Sequence, residues 1–167
     1  MNFPLLPTGI LESVTQLTPE FLREQGIRLL MLDFDNTIVP YTTNTPAEEM
    51  ERCLRELGST EIRLCVVSNS RKPRVRVFCQ RYGIDCITHA GKPFSKGINQ
   101  CLQRYGLPRE CCALVGDQIF TDTLGANLAG VRSLLVPAID NHNIWLKLRH
   151  VAELPFILAA RKRRIDL

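Results

Sequence analysis

The sequence predicts an α/β protein: a doubly wound, Rossmann-like parallel sheet of about five strands with helices on both faces. Three observations carry this. Short apolar runs alternate with longer stretches of helical character along the chain. The runs are apolar throughout, as strands buried on both faces are. The helical stretches stop at glycines, a common helix terminator.

The elements follow in order. Before the first strand, Ile10, Val14, Leu17 and Phe21 have roughly helical spacing, and Thr18-Pro19 reads as a helix start, so residues 1–26 form a helical lead-in. Ile27–Phe34 ("IRLLMLDF") is the first strand. Thr45–Leu57 is a helix, with Thr45 as cap, Pro46 in the first position, Glu48 closing a capping box and Gly58 as the stop. Ile62–Ser68 is the second strand, and Pro73 to Tyr82 a helix ended by Gly83. Asp85–Ala90 is a short third strand, followed by a helix from Ser95 to Tyr105 ended by Gly106. Cys111–Asp117 is the fourth strand, Thr121 to Ala129 a helix ended by Gly130, and Arg132–Ala138 the fifth strand. Residues 143–167 read as a helix with a basic tail. No repeat or linker divides the 167 residues, so one domain is expected.

Composition sets bounds on function. With 45% hydrophobic and 23% charged residues the chain is globular rather than disordered. Its net charge of +4 suits an anionic substrate but is too weak to imply nucleic acid. Seven cysteines without a CxxC pair read as buried thiols in a reducing compartment; at the vicinal pair Cys111-Cys112, core filling is favoured over redox chemistry. The first residues lack the basic region of a signal peptide, and no apolar run is long enough to span a membrane. A cytoplasmic protein is expected, with a peripheral membrane contact left open. Oligomeric state has no signature in the sequence.

The polar residues gather at strand ends. Asp33 ends the first strand with Asp35 just beyond, Ser68-Asn69 end the second, Lys92 follows the third, and Asp117 ends the fourth with Asp122 soon after. In an open parallel sheet, ligands bind outside the carboxyl ends of the strands. Crowded carboxylates repel unless a cation sits among them, and aspartate oxygens favour a hard ion such as Mg²⁺. Mg²⁺, a lysine and a hydroxyl together suit a phosphoryl group. One aspartate can then attack phosphorus and another can move the proton.

"DFDNT" (Asp33–Thr37), "VVSNS" (Val66–Ser70), "GKP" (Gly91–Pro93) and "GDQIFTD" (Gly116–Asp122) resemble, in order, the four motifs of the haloacid dehalogenase (HAD) phosphatases. The resemblance spans most of the chain and implies a HAD-like fold. It implies Asp33 as nucleophile and Mg²⁺ ligand, and Asp35 as acid and base that also binds the metal through its carbonyl. Thr37 would orient the loop, Ser68 and Lys92 would hold phosphoryl oxygens, and Asn36 and Asn69 would join them at the substrate. Asp117 would bind Mg²⁺; Asp122 would bind it directly, bind through water, or position Lys92.

Each feature alone has a plainer reading. Asp35-Asn36-Thr37 is also a turn sequence, Ser68-Asn69 a helix cap, and Lys92 a solvated lysine. Independent accidents at four strand ends, in one family's order, are improbable. "GKP" is not a P-loop, since GxxxxGK[ST] is missing. A signalling receiver domain carries its acidic pair and phosphoacceptor on different strands, whereas here both aspartates lie on one. His89, His142 and His150 have no metal-ligand spacing, and Thr121 reads as a cap or packing contact.

Many HAD phosphatases carry an inserted cap domain. Here the segments 38–61 and 70–91 are too short for one, so the site is expected to be open to large or membrane-held substrates, with the flap Val39–Pro46 either gating entry or merely connecting. Arg71, Lys72, Arg74 and Arg76 either grip an anionic substrate or form a solvated helix start. Ile144, Leu148, Val151, Leu154 and Leu158 follow helical spacing, with Trp145 and Phe156 adding bulk and Arg161 to Arg164 a basic cluster. Packing on the core is favoured over a membrane surface, because Pro155 should kink or divide this helix. "TPEFLREQGIRLLMLDFDNTIVPY" and "GDQIFTDTLGANLAG" resemble the IIIA-subclass phosphatases of the phosphatidylglycerophosphate type. That resemblance implies a lipid phosphomonoester as substrate; a phosphoprotein, a nucleic-acid end or a soluble metabolite stays open, as does a non-catalytic scaffold.

Overall fold

In a computed structural model of the chain, residues 4–140 and 144–162 are described, except for the side chains of 144–150 and 162. The order along the chain is β1 (Gly9–Ile10), α1 (Pro19–Glu24), β2 (Leu29–Leu32), α2 (Glu48–Gly58), β3 (Arg63–Val67), α3 (Arg74–Tyr82), β4 (Asp85–Ile87), α4 (Lys96–Tyr105), β5 (Cys112–Gly116), α5 (Leu124–Ala129), β6 (Arg132–Leu135) and α6 (Ile144–Lys162). Short 3₁₀ turns precede α1 and β5, and a π-helical turn, Ile119–Thr123, leads into α5.

The strands form one parallel sheet in the order β1-β6-β5-β2-β3-β4. The apolar runs divide by the strand period of two. Leu30, Leu32, Leu64, Val66, Ala113 and Val115 face one layer, where Leu22 of α1, Leu54 and Leu57 of α2, and Val75 and Phe78 of α3 close over them. Leu29, Met31, Cys65, Val67, Cys112 and Leu114 face the other, against Ile98 and Leu102 of α4 and Ala126 of α5. Both faces are covered, so the expected doubly wound fold is the one formed. β2 lies between β3 and β5, at the point where the strand order reverses. In open parallel sheets ligands bind at such a point, outside the strands' carboxyl ends.

Local chemistry sets the boundaries. Thr18 caps α1 by accepting from the Phe21 amide, with Pro19 in the first turn. Gly83, Gly106 and Gly130 end α3, α4 and α5 in the left-handed conformation. The expected capping box on α2 does not form: the helix starts at Glu48 behind Ala47, without a side-chain cap, while Glu48, Glu49 and Glu51 favour its positive end. The sheet gains a sixth strand. Gly9–Ile10 pairs with β6 where the lead-in was expected to be helical, because two residues are too few to show a strand period.

The C-terminal helix also departs from expectation. α6 runs unbroken through Pro155. A proline within a helix removes one backbone donor, and contacts on either side hold α6 in place: Glu153 is buried, and the Phe156 ring meets Phe120 edge to face at 6.0 Å. Of the expected apolar stripe, Val151, Leu154 and Leu158 point outward, while Glu153 and Ala160 face the body. The side chains of Ile144, Trp145, Leu148, His150 and Lys162 lie outside the described residues, as do His142, Arg163 and Arg164.

The seven cysteines are free thiols. Burial pushes Cys53 and Cys112 up to about 11, so these behave as inert filler, and Cys112 donates to the Pro108 carbonyl at 3.1 Å.

Leu30 sits fully buried at the middle of β2. Leu30→Ala is expected to lower stability by about 2–5 kcal/mol through lost transfer energy and a residual cavity. Urea unfolding checks this: the midpoint should fall while the slope stays constant.

Candidate active site

The β2 ladder continues one residue past the strand, since the Asp33 amide donates to the Val115 carbonyl at 2.8 Å. That bond fixes Asp33 at the carboxyl end of the sheet. The chain then turns sharply. Asn36 adopts a left-handed φ of 63°, which asparagine tolerates better than most residues, and its amide donates to the Val39 carbonyl. The Asn36 side-chain amide donates to the Asp140 carbonyl at 2.6 Å, and the Ile139 amide donates to the Asn36 carbonyl. Asn36 is fully buried. Its side-chain amide braces the β2 loop against the loop after β6.

Lys92 is the charged centre. Its buried ammonium donates to Asp33 Oδ1 at 2.7 Å and to Asp122 Oδ1 at 2.6 Å. Asn69 holds the backbone beneath it, accepting from the Lys92 amide at 2.8 Å and donating to the Lys92 carbonyl at 2.9 Å. Asn69 therefore ties the β3 loop to the β4 loop, and its amide too is used within the protein. Ser68 is buried at the end of β3, where its hydroxyl oxygen accepts from the Ser70 amide.

The fourth segment follows β5. Asp117 is buried, and the Thr37 hydroxyl donates to its Oδ1 at 3.4 Å, linking the first motif to the last. The π-helical turn brings Asp122 back over Gly116: the Asp122 amide donates to the Gln118 carbonyl, and Asp122 Oδ2 accepts from the Gln118 amide. Gly116 makes this approach possible, because a Cβ there would lie 2.3 Å from the Asp122 carboxyl carbon. Thr121 donates to the Gln118 side chain, a local contact as expected. Glu153 of α6 accepts from the Ile119 and Phe120 amides at 2.9 and 3.3 Å, at the start of the same turn.

Asp33, Asp117 and Asp122 each offer a carboxylate oxygen, and these atoms lie within 4.8 Å of one another, all buried. The Lys92 ammonium pairs with two of the three, Asp33 and Asp122. Burial pushes the Asp33 carboxyl up, Lys92 pulls it down and Asp122 pushes it up again, leaving it at about 7. Burial works against the Lys92 ammonium, but Asp122 and Asp33 more than offset this and raise its pKa. An all-oxygen cluster of three carboxylates fits a hard divalent cation. The Asp35 carboxylate stands apart from the trio and pairs with Arg74 at 2.6 Å. Arg74 was expected among basic residues facing a substrate or solvent; its charge is instead engaged within the protein.

The residues outside the sequence reading are Arg74 in this role, Gly116 and Glu153. Gly116 was inside a recognised motif, but its spatial role has no one-dimensional signal. Glu153 appears in sequence as one acidic residue in an apolar helix, and only the fold brings it to the π-helical turn.

The comparisons agree with this geometry. Residues 9–130 match the model of the haloacid dehalogenase-like hydrolases. The chain is 31% identical over 160 residues to the "Probable phosphatase YqeG" of Bacillus subtilis (strain 168), covering 95% of this chain and 92% of that protein. Among solved structures, the fold resembles a cobalt-bound deoxy-D-mannose-octulosonate 8-phosphate phosphatase from Haemophilus influenzae, with TM-score 0.55 and 14% identity, covering 83% of this chain and 91% of that one. It also resembles a 3-deoxy-D-manno-octulosonate 8-phosphate phosphatase from Yersinia pestis, with TM-score 0.53 and 19% identity, covering 84% and 85%. A hydrolase built on a doubly wound parallel sheet, with its polar groups at the switch point, is therefore the class in hand. The chain belongs to the haloacid dehalogenase-like hydrolases, and its activity is that of a phosphatase.

Gly116→Ala is expected to push Asp122 off Lys92. The strain should lower stability by about 1–3 kcal/mol and reduce phosphate release in parallel. Urea unfolding and a phosphate assay check this; wild-type values in both would show that the turn absorbs the methyl group.

Proposed function

We propose that the protein is a Mg²⁺-dependent phosphomonoester hydrolase that works through an aspartyl-phosphate on Asp33. One observation carries the reading: the buried Lys92 ammonium clamps Asp33 beside Asp117 and Asp122 at the switch point of the sheet. Asp33, Asp117 and Asp122 would hold the cation, with the Asp35 carbonyl as a further ligand. The cation would supply charge neutralisation of the phosphoryl oxygens.

The protein's own groups then divide the work. An Asp33 carboxylate oxygen forms a bond to phosphorus as the bond from phosphorus to the leaving oxygen breaks. Asp35 gives that oxygen its proton. Asp35 then takes a proton from water as the water oxygen bonds phosphorus and the Asp33–phosphorus bond breaks, which returns both carboxyls to their starting state. Lys92 and the Ser68 hydroxyl stabilise charge on the phosphoryl oxygens. Thr37 holds Asp117, and Asn36 and Asn69 keep the loops in register.

For the substrate we propose a lipid phosphomonoester such as phosphatidylglycerophosphate, met at a membrane surface by a peripheral contact from the cytoplasmic side. Tyr41, Phe94 and Ile139 are exposed on the loops after β2, β4 and β6, the end of the sheet that carries the site. Exposed Arg71 and Lys72 follow β3 at the same end. Between β2 and β3, and between β3 and β4, the chain carries single helices and no lid domain. No described helix is long and apolar enough to cross a membrane, so contact would be peripheral.

Asp33→Asn is expected to lower turnover by about 10³-fold or more and to abolish phosphoenzyme formation. A phosphate-release panel with Mg²⁺ and EDTA arms tests the chemistry. It sets vesicles carrying a lipid phosphate against soluble phosphomonoesters. Equal or better turnover of soluble substrates, without vesicle binding, would overturn the lipid assignment and leave the chemistry intact.

Metal affinity gives an independent test. With Asp33 raised to about 7, a proton competes for its carboxylate below that pH. Mg²⁺ binding is therefore expected to weaken as pH falls through 7, by at most about tenfold per pH unit. Calorimetry at pH 6 and pH 8 measures this, with proton release on binding at pH 6.

A further inference from the structure

Arg74 stands at the start of α3, four residues beyond Ser70, and its side chain is mostly buried at 13% exposure. Its Nη2 donates to Asp35 Oδ1 at 2.6 Å and to the Pro40 carbonyl at 3.3 Å. Its Nη1 donates to the Tyr41 and Thr43 carbonyls, both at 3.0 Å, and lies 3.4 Å from Asn44 Oδ1. The guanidinium carbon lies 5.1 Å from the centre of the Phe34 ring, beside Asp35. One cation thus touches the residue after Asp33, the carboxylate of Asp35 and the 40–44 flap. No other cation in the described salt bridges touches Asp35.

The fork geometry is what makes this arrangement available. A guanidinium offers several donors in one plane, so it can hold a carboxylate with one nitrogen and backbone carbonyls with the other. A lysine ammonium is a point donor and cannot span both. Asp35 lies on an irregular loop, where a side chain without partners would sample several rotamers. A general acid must stay within hydrogen-bond reach of the leaving oxygen, so that freedom would lower the rate.

We propose that Arg74 is a positioning residue: it aims Asp35 at the leaving group and holds the flap beside the site, in a chain without an inserted lid. The inference rests on the reading of Asp35 as acid and base. It differs from substrate gripping, since both terminal nitrogens of Arg74 donate to the protein.

Leaving-group dependence tests it. A nitrophenolate leaves well without a proton, whereas an alkoxide requires one. Arg74→Met is expected to lose about 10- to 100-fold more activity on an alkyl phosphate than on p-nitrophenyl phosphate. The effect should fall mainly on kcat. Asp35→Asn should show the same substrate selectivity or a larger one, and Arg74→Met in the Asp35→Asn background should add little to it. Equal losses on both substrates, or a full additional loss in that background, would overturn the role of Arg74. An Asp35→Asn variant without leaving-group dependence would instead overturn the reading of Asp35, whatever Arg74 does. Thermal unfolding of each variant separates misfolding from misalignment, and Arg74→Lys carries the same test should the methionine variant not fold.

Discussion

The Lys92 ammonium, buried between Asp33 and Asp122, is the contact on which the rest of the site depends. Removing a lysine and two carboxylates from water is expensive, and buried ion pairs often stabilise a fold less than apolar residues would. A third buried carboxylate, Asp117, offers an oxygen within 4.8 Å of those of Asp33 and Asp122, so three carboxylates crowd one point. Such an arrangement is poor as structural cement and apt as a cation and phosphate receptor. Several local features serve it: the extra ladder bond at Asp33, the Asn69 brace beneath Lys92, the bare Cα at Gly116, and Thr37 against Asp117.

These supports come from four loops, and the doubly wound topology brings them together. β2 is central, flanked by β3 and β5, so its carboxyl end meets the loops of both halves of the sheet. The apolar residues of β2 alternate between two helical layers, and this two-sided burial anchors Asp33. An aspartate on a mobile turn would have the same chemistry without a fixed line of attack. Stability and chemistry are joined here, since the residues that fill the two cores also set where the polar groups stand.

The parts legible in the sequence were those written in short-range patterns. Apolar runs marked β2 to β6 within a few residues, terminal glycines marked the ends of α3 to α5, and polar residues at strand ends marked the site. What escaped was relational. Gly9–Ile10 is a strand only because β6 offers it an edge. Ala47, not Thr45, precedes α2, a helix held by the burial of Met50, Cys53, Leu54 and Leu57 rather than by a side-chain cap. Asn36 donates to a backbone carbonyl 104 positions away, and Asn69 bonds the amide and carbonyl of a residue 23 positions away, which no local pattern reports.

Arg74 and Glu153 extend that point from the fold to the site. Arg74 sits in a basic stretch and Glu153 is one acidic residue in an apolar helix, and neither pattern reports a partner. In space each closes a loop that carries a candidate functional aspartate: Arg74 holds Asp35 and the flap, and Glu153 accepts the amides at the start of the turn that presents Asp122. Both supply charged partners for backbone or side-chain groups that would otherwise be left to water. An inserted domain can brace such loops by covering them. This chain carries single helices at those positions, and individual ion pairs and charge-assisted hydrogen bonds do the bracing.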